Sequence, residues 1–162
     1  MILEYKEITK EELKNYRELI LPMVYEELEA QEDISTEYIC IAAVLDDEPV
    51  GAIVADLEGN GDINLLSIWT DQEYRRYGIA SALREKMTEV AVNLYDWEED
   101  QFGDDIDLRT MYCLKNGYRE DFEAWLRAND FTDFCILRPS EGEKPQICSA
   151  ISEVHFYRTM PE

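Results

Sequence analysis

The chain of 162 residues is poor in the side chains that build metal and redox sites. It has one histidine, His155. A multi-histidine metal site or a histidine-based triad is therefore hard to build. His155 sits in the strand-like stretch Val154-His155-Phe156-Tyr157, where a structural role is expected. The four cysteines, Cys40, Cys113, Cys135 and Cys148, lie far apart. None has the C-x-x-C or Cys/His spacing of a zinc site, so no metal is expected. Cys40 and Cys135 fall in apolar runs, where a free cysteine behaves as a small hydrophobe. All four are read as reduced thiols. Long hydrophobic runs are absent too. The longest, Ile39 to Leu45, is far too short to cross a bilayer. The opening residues, Met1-Ile2-Leu3-Glu4-Tyr5-Lys6-Glu7, lack the basic and apolar regions of a signal peptide. A cytoplasmic location, with no membrane partner, is the expectation.

Positive charge is scarce. Fifteen basic residues face 37 acidic ones, for a net charge of −22. This balance disfavours nucleic acids and anionic membranes as partners. It favours approach of a cationic partner, such as an amine, a polyamine or a basic peptide. Acidity that serves solubility alone explains the charge equally well.

What the chain does have is apolar content. Hydrophobic residues make up 46%, enough to argue against disorder. The length suits one domain, residues 1–162, with a core of useful size. No repeat, low-complexity tract or interdomain linker interrupts it.

Taken in order, Ile2 to Tyr5 reads as an edge strand. Thr9-Lys10-Glu11-Glu12 has the form of a capping box, which predicts a helix with Leu13, Tyr16 and Ile20 as its apolar stripe. Pro22 suits the first turn of a second helix, about Pro22 to Ala30. Tyr38 to Leu45 and Val50 to Asp56 read as strands joined by a turn at Asp46-Asp47-Glu48-Pro49. Gly59-Asn60-Gly61 is a hairpin signal leading into the strand Ile63 to Thr70. These three strands should form an antiparallel meander. The stretch Asp96 to Asp107 holds seven acidic residues in twelve and lacks the register of a calcium loop. It reads as a solvated loop, with a gate for cationic substrate as the sharper alternative. Ile106 to Leu114 is a further strand and Asn116-Gly117 a turn. Glu120 to Ala128 reads as a helix stopped at Asn129. Phe131 to Leu137 and Glu153 to Met160 are the last two strands, joined by the polar connection Pro139 to Ser152.

The most informative stretch is Arg75-Arg76-Tyr77-Gly78-Ile79-Ala80. It joins the Ile63–Thr70 strand to a helical pattern with Ile79, Leu83, Met87, Val90 and Leu94 on one stripe. A helix entrance leaves backbone N–H groups unpaired and carries partial positive charge. A glycine there lets a ligand approach the main chain. Two arginines add charge. The unit suits a phosphate or pyrophosphate.

Arg75-x-x-Gly78-x-Ala80 resembles the Q/R-x-x-G-x-G/A signature of the GNAT N-acetyltransferases. The flanks, from Thr70 to Leu83, are similar to that family's strand-to-helix segment. The order of elements also follows the family over nearly the whole chain. The resemblance implies an α/β (α+β) fold, with a mixed, mostly antiparallel seven-stranded sheet and helices on both faces. It implies acetyl-CoA as co-substrate and transfer of an acetyl group to a primary amine, a small amine or a basic peptide. Backbone at Ile68 and Thr70 would pair with the pantetheine arm. The amides from Arg76 through Tyr77, Gly78, Ile79 and Ala80 to Ser81 would hold the pyrophosphate, with Arg75 and Arg76 supplying charge. N–H groups of the fourth strand would stabilise the oxyanion. The helical pair would shape the acceptor side. Glu26, Glu27 and Glu29 could meet a cationic acceptor there, although a solvated helix face explains them more simply.

Two departures from the family matter. Many members carry a tyrosine on the last helix as general acid, five residues before a Gly-Phe pair. Here Leu126 takes its place and Asp130 that of the glycine. Many also carry a glutamate on the fourth strand as general base, and Ile63 to Thr70 has no acidic residue. Tyr112 and Tyr118 are near in sequence, but no catalytic residue is assigned. Three readings follow: an active N-acetyltransferase, a catalytically silent module of the same fold that binds CoA or a protein, and an acidic interaction domain with a chance loop match. Ten tyrosines allow a homodimer.

Overall fold

The three-residue spacing of Leu13, Tyr16 and Leu19 decides the first helical segment. In a computed structural model, which describes residues 2–34, 37–57, 62–94, 105–113, 118–137 and 147–155, this segment is a 3₁₀ helix, Leu13–Leu19, with those three residues buried. A 3₁₀ helix repeats every three residues, so the three side chains share one face. The capping box closes just before it. The Glu12 N–H donates to Thr9 Oγ1 at 3.3 Å, and the Thr9 hydroxyl donates to Glu12 Oε1 at 3.0 Å. The helix thus starts later than expected, and its stripe runs through Leu19.

The described chain forms two compact units. The first, Met1–Leu57 with Leu65–Glu99, holds β1 (Leu3–Glu7), the 3₁₀ helix, α1 (Pro22–Ala30), β2 (Tyr38–Leu45), β3 (Glu48–Leu57), most of β4 (Ile63–Thr70) and α2 (Ile79–Leu94). Its strands run in the order β1-β2-β3-β4. β1 pairs antiparallel with β2, and β2 antiparallel with β3. Asp46 and Asp47 join β2 to β3 with φ of 48° and 69°. A two-residue loop with both residues left-handed matches the twist of the strands. Beyond the turn the pairing slips, so that Ala43 faces Gly51 while Val44 faces Pro49. A bulge tolerates a proline, which has no N–H to give the ladder.

β2 and β3 are buried along nearly their whole length. A strand covered on both faces reads as a continuous apolar run rather than an alternating one. Cys40, Ala42, Val44, Ala52 and Val54 pack with Leu13, Tyr16, Leu19, Tyr25 and Leu28 of the helical pair. α2 packs on the same two strands. Ile79, Leu83, Met87 and Ala91 are its buried line. Leu94, expected on that stripe, is exposed, and Val90 is half-buried. A straight four-residue repeat displaced the expected end of the stripe. Lys10 Nζ donates to the carbonyls of Leu28, at 3.0 Å, and Glu29. It closes the C-terminus of α1, where carbonyls lack partners.

The second unit, Glu58–Asn64 with Asp100–Glu162, holds β5 (Asp105–Cys113), α3 (Arg119–Ala128), β6 (Thr132–Leu137) and β7 (Ile147–His155). Its order is β5-β7-β6, with both pairs antiparallel. β7 begins six residues before its expected start at Glu153. The small and polar stretch Cys148-Ser149-Ala150 reads as connection in isolation. Pairing of Cys113 with Ile147 through to Asp105 with His155 makes it strand. α3 ends as expected near Asn129, but the left-handed residue is Asp130, with φ of 65°. The Phe131 N–H returns to the Leu126 carbonyl at 2.9 Å, the closure that usually employs glycine.

The expected turns at Gly59-Asn60-Gly61 and Asn116-Gly117 lie outside the described residues. So do the acidic stretch from 96 to 104, residues 139–146 of the last connection, and 156–160 of the last expected strand.

Candidate functional site

β4 ends at Thr70, and the chain needs eight residues to reverse into α2. The first part of that passage, from Asp71 to Arg75, is anchored. The Asp71 N–H donates to the Val50 carbonyl at 2.8 Å, tying the exit of β4 to the bulge in β3. A short 3₁₀ turn follows, Gln72–Tyr74. The side chain of Arg75 then folds back. Its Nε donates to the Thr70 carbonyl at 3.0 Å, and its guanidinium lies 4.5 Å from the centre of the Trp69 ring. This arginine, expected as a free cation for phosphate, is turned onto the strand it has just left. Arg76 is exposed and left-handed, with φ of 74°.

Gly78 has φ of 75°, and a Cβ built on it would meet nothing within 4 Å. The glycine is there for its backbone, and space lies beside it. Its carbonyl accepts the first helical bond, from the Ala82 N–H at 3.0 Å. Gly78 is therefore the cap residue of α2. Among the described residues, no backbone acceptor is recorded for the N–H groups of Arg76, Tyr77, Gly78, Ile79, Ala80 or Ser81. Tyr77 is 73% exposed, and Ala80 and Ser81 are half-buried. Ile79 sends its side chain into the core and keeps only its N–H at the helix entrance. Exposed N–H groups at the positive end of a helix dipole can take up an anion.

Gly51 makes this placement possible. A Cβ there would lie 3.1 Å from the Trp69 carbonyl, 3.3 Å from Ile79 Cγ2 and 3.4 Å from Leu83 Cδ1. The first turns of α2 thus press against β3 beside the end of β4. A glycine inside an apolar strand signals such a close approach, and sequence reading passed over it.

Ile68 is half-buried on β4, and Thr70 is 7% exposed. Three residues before Thr70, the Ser67 hydroxyl accepts the Leu21 N–H at 3.1 Å and ties β4 to the start of α1. Glu26, Glu27 and Glu29 are exposed, as a solvated face requires. Burial pushes the Tyr38 phenol up from its usual range, and the charges of Glu27, Asp56 and Glu37 push it the same way. A cleft of about 390 Å³ lined by Glu4, Lys6, Glu12, Tyr16 and Asp47 opens beside β1, at the other end of the unit's strand order. The Lys6–Glu12 ion pair at 2.9 Å lies within it.

In the second unit, Tyr112 is committed. Its hydroxyl donates to Glu123 Oε2 at 2.8 Å, and Arg119 Nε donates to Glu123 Oε1 at 2.7 Å. Burial pushes the Glu123 carboxyl up. The hydrogen bonds of Tyr112 and Arg119, with the charges of Arg119 and Arg127, outweigh it and hold the group below its usual range. Tyr118 precedes α3 and is 43% exposed. Leu126, in the place of the expected tyrosine, is fully buried. Among the described residues, no group of three or more histidine, cysteine or acidic side chains is arranged to hold a metal. No helix among them is long and apolar enough to cross a membrane.

Comparison with known proteins bears on the same unit. The family model for the acetyltransferase (GNAT) family matches residues 5–118, over two-thirds of the chain. No curated protein sequence matches. Among solved structures, a ribosomal-protein alanine N-acetyltransferase from Escherichia coli superposes with a TM-score of 0.69 at 12% identity, covering 99% of each chain. A putative streptothricin acetyltransferase from Bacillus anthracis, in complex with acetyl coenzyme A, gives 0.65 at 17% identity, over 97% of this chain and 100% of that one. An aminoglycoside 6'-N-acetyltransferase complexed with coenzyme A gives 0.63 at 17% identity, over 94% and 97%. At these identities the likeness is one of fold. With the family model matched across the strand–loop–helix unit, the chain belongs to the GNAT family, as an acyltransferase whose co-substrate, typical of that family, is acetyl-CoA.

Proposed function

We propose that the protein is an N-acetyltransferase that moves the acetyl group of acetyl-CoA to a primary amine, a small amine or a basic peptide. The observation that carries this reading is the helix entrance at Gly78. Its left-handed cap residue stands in open space, and among the described residues no backbone carbonyl accepts from the N–H groups of Arg76 to Ser81. These groups fit a diphosphate. In the reading, Arg76, Tyr77, Gly78, Ile79, Ala80 and Ser81 hold that diphosphate, and the end of β4 from Ile68 to Thr70 guides the arm that follows. The amine nitrogen bonds to the thioester carbon, the C–S bond breaks, and the thiol leaves with the proton the amine gives up.

A cationic acceptor is supported by the net charge of −22 and by the exposed glutamates of α1. A single domain over 1–162, one seven-stranded mostly antiparallel sheet with helices on both faces, a cytoplasmic location and a homodimer belong to the same reading. Release of free thiol from acetyl-CoA against a panel of amines tests it. Turnover with a primary amine supports it, and the absence of both turnover and CoA binding removes it.

A second reading has its own support. Leu126 is buried where a proton donor would stand, and β4 carries no carboxylate. A silent module that binds CoA or a protein would look the same. CoA binding by calorimetry without turnover on any amine selects it.

A further inference from the structure

β1 ends the first unit's strand order, and among the described residues no strand pairs with its outer edge. Four of its five residues are exposed, and Tyr5 is half-buried. Two hydrogen bonds fix which way its main chain points. The Ile8 N–H donates to the Cys40 carbonyl at 2.8 Å, and the Asp46 N–H donates to the Ile2 carbonyl at 2.9 Å. The register between them is unbroken, from Leu3 opposite Leu45 to Glu7 opposite Ile41. Main-chain groups on an antiparallel strand alternate in direction, residue by residue. Ile2, Glu4, Lys6 and Ile8 therefore bond inward to β2. The N–H and carbonyl groups of Leu3, Tyr5 and Glu7 face outward.

Such an edge is a template for another strand unless something blocks it. β6, the end strand of the second unit, is broken up. Its pairing with β7 slips between Thr132 and Cys135, and Asp133 is left-handed with φ of 54°. β1 has no bulge, no proline and no left-handed residue. Its lysine does not guard the edge either, since Lys6 Nζ is drawn to Glu12 at 2.9 Å. Ile2 and Leu3, 64% and 39% exposed, add apolar surface there.

The strand's own sequence names the occupant. Leu3-Glu4-Tyr5-Lys6-Glu7 can be laid antiparallel on itself about Tyr5. Glu4 then stands opposite the partner's Lys6, and Lys6 opposite the partner's Glu4. The outward groups of Leu3, Tyr5 and Glu7 meet those of the second copy and close about six hydrogen bonds. The neighbouring registers that keep outward groups together are two residues away. One sets Glu4 against the partner's Glu4, the other sets Lys6 against the partner's Lys6, and each loses bonds. Opposite charges directly across a strand pair stabilise it, and like charges destabilise it. The pattern is thus self-complementary in one register, as a two-fold contact requires.

The geometry points to β1 as the interface of a two-fold homodimer, in which two copies pair edge to edge and continue each other's sheet. The inference rests on the homodimer of the proposed function, gives it a surface, and does not depend on the transfer chemistry.

Sedimentation velocity over a concentration series tests it, in salt enough to screen two chains of net charge −22. Wild type is expected to dimerise, with hydrogen exchange slowing at the amides of Leu3, Tyr5 and Glu7 as concentration rises. Tyr5→Pro removes an N–H that β2 does not use, so the fold should stand while the dimer is lost. Glu4→Lys sets lysine opposite the partner's Lys6 twice in each dimer and should weaken association about tenfold. It leaves the backbone alone and decides the matter should Tyr5→Pro fail to fold. A dimer indifferent to these changes overturns the β1 surface and leaves the homodimer standing. A monomer at every concentration overturns both and leaves the acetyltransferase reading intact. A monomer whose three amides are protected by added polylysine assigns the edge to a basic peptide and likewise overturns the second copy.

Discussion

Arg75 Nε donates to the carbonyl of Thr70, 3.0 Å away, and the same guanidinium covers the Trp69 ring. The bond spans the whole exit from β4. It fixes the direction in which the loop leaves the strand, and hence where the amides of α2 point. An arginine read from the sequence as charge for a ligand is here first a clamp on its own backbone.

Removing the clamp should therefore do two things. Arg75→Ala is expected to lower stability by about 1–2 kcal/mol, the range for a charge-assisted hydrogen bond with a stacked ring, discounted for partial exposure. It should also weaken CoA binding. Arg75→Lys should restore less than half of either, because an ammonium lacks the planar fork that bonds and stacks together. Urea titration and calorimetry on the two variants check this. Full rescue by lysine would mean that charge alone matters.

Gly51 and Gly78 should respond to alanine for opposite reasons. At Gly78 there is room, but φ of 75° is unfavourable for any side chain. Gly78→Ala should lose about 1–2 kcal/mol through the backbone. At Gly51 the conflict is steric, against the Trp69 carbonyl and the first turns of α2. Gly51→Ala should lose about 1–3 kcal/mol by overpacking. Trimming the neighbour with Leu83→Ala should lessen the effect of the second change and leave the first alone. A double-mutant cycle in denaturant reads the difference.

Two aspartates occupy left-handed positions that glycine tolerates better. Asp47 closes the β2–β3 turn, and Asp130 ends α3. Asp47→Gly and Asp130→Gly should each stabilise the protein by about 0.5–1 kcal/mol, the conformational relief less the added freedom of the unfolded chain. Higher urea midpoints with unchanged slope would bear this out.

Glu123 gives the acid limb of stability a sign. Its carboxyl titrates below the usual 4.5 in the folded protein, so the folded state favours the ionised form. That contribution is complete above 4.5 and is lost as pH falls through the depressed value. Glu123→Gln should flatten stability against pH in that window and leave the profile above it parallel to wild type. Tyr112→Phe should flatten it partly, since Arg119 remains. Thermal melts between pH 3 and 7 check both (about four units, spanning the ordinary carboxylate range).

Cys40 offers a control on the core. Burial pushes its thiol up to about 12. It should resist alkylation at neutral pH in the folded protein and react once urea unfolds the chain, as peptide mass mapping would show. Rapid native labelling would contradict the tight packing of β2 against the helical pair.

Much of this was readable one residue at a time. The runs of Ile, Val and Ala in β2 and β3, the proline at the head of α1, and the four-residue repeat from Ile79 are local patterns. Local patterns specify local elements, and the strand–loop–helix unit with Gly78 at its hinge lies within that reach. The first helical segment and the start of β7 were misjudged. The 3₁₀ period of Leu13, Tyr16 and Leu19 resembles an α-helical stripe over so short a span. Cys148-Ser149-Ala150 becomes strand only because β5 pairs with it.

By itself, then, the sequence determined the order of the elements, the apolar runs of β2 and β3, and the glycine that caps α2. Each follows from periodicity and from which residues tolerate a left-handed backbone. Only the tertiary structure decided that Arg75 turns back on Thr70, that Gly51 admits α2, that Tyr112 is spent on Glu123, and that the Thr70 hydroxyl finds no partner among the described residues. Those are relations between side chains and backbone brought together by packing. A pattern along one chain carries no distance, and a hydrogen bond is a matter of distance and direction.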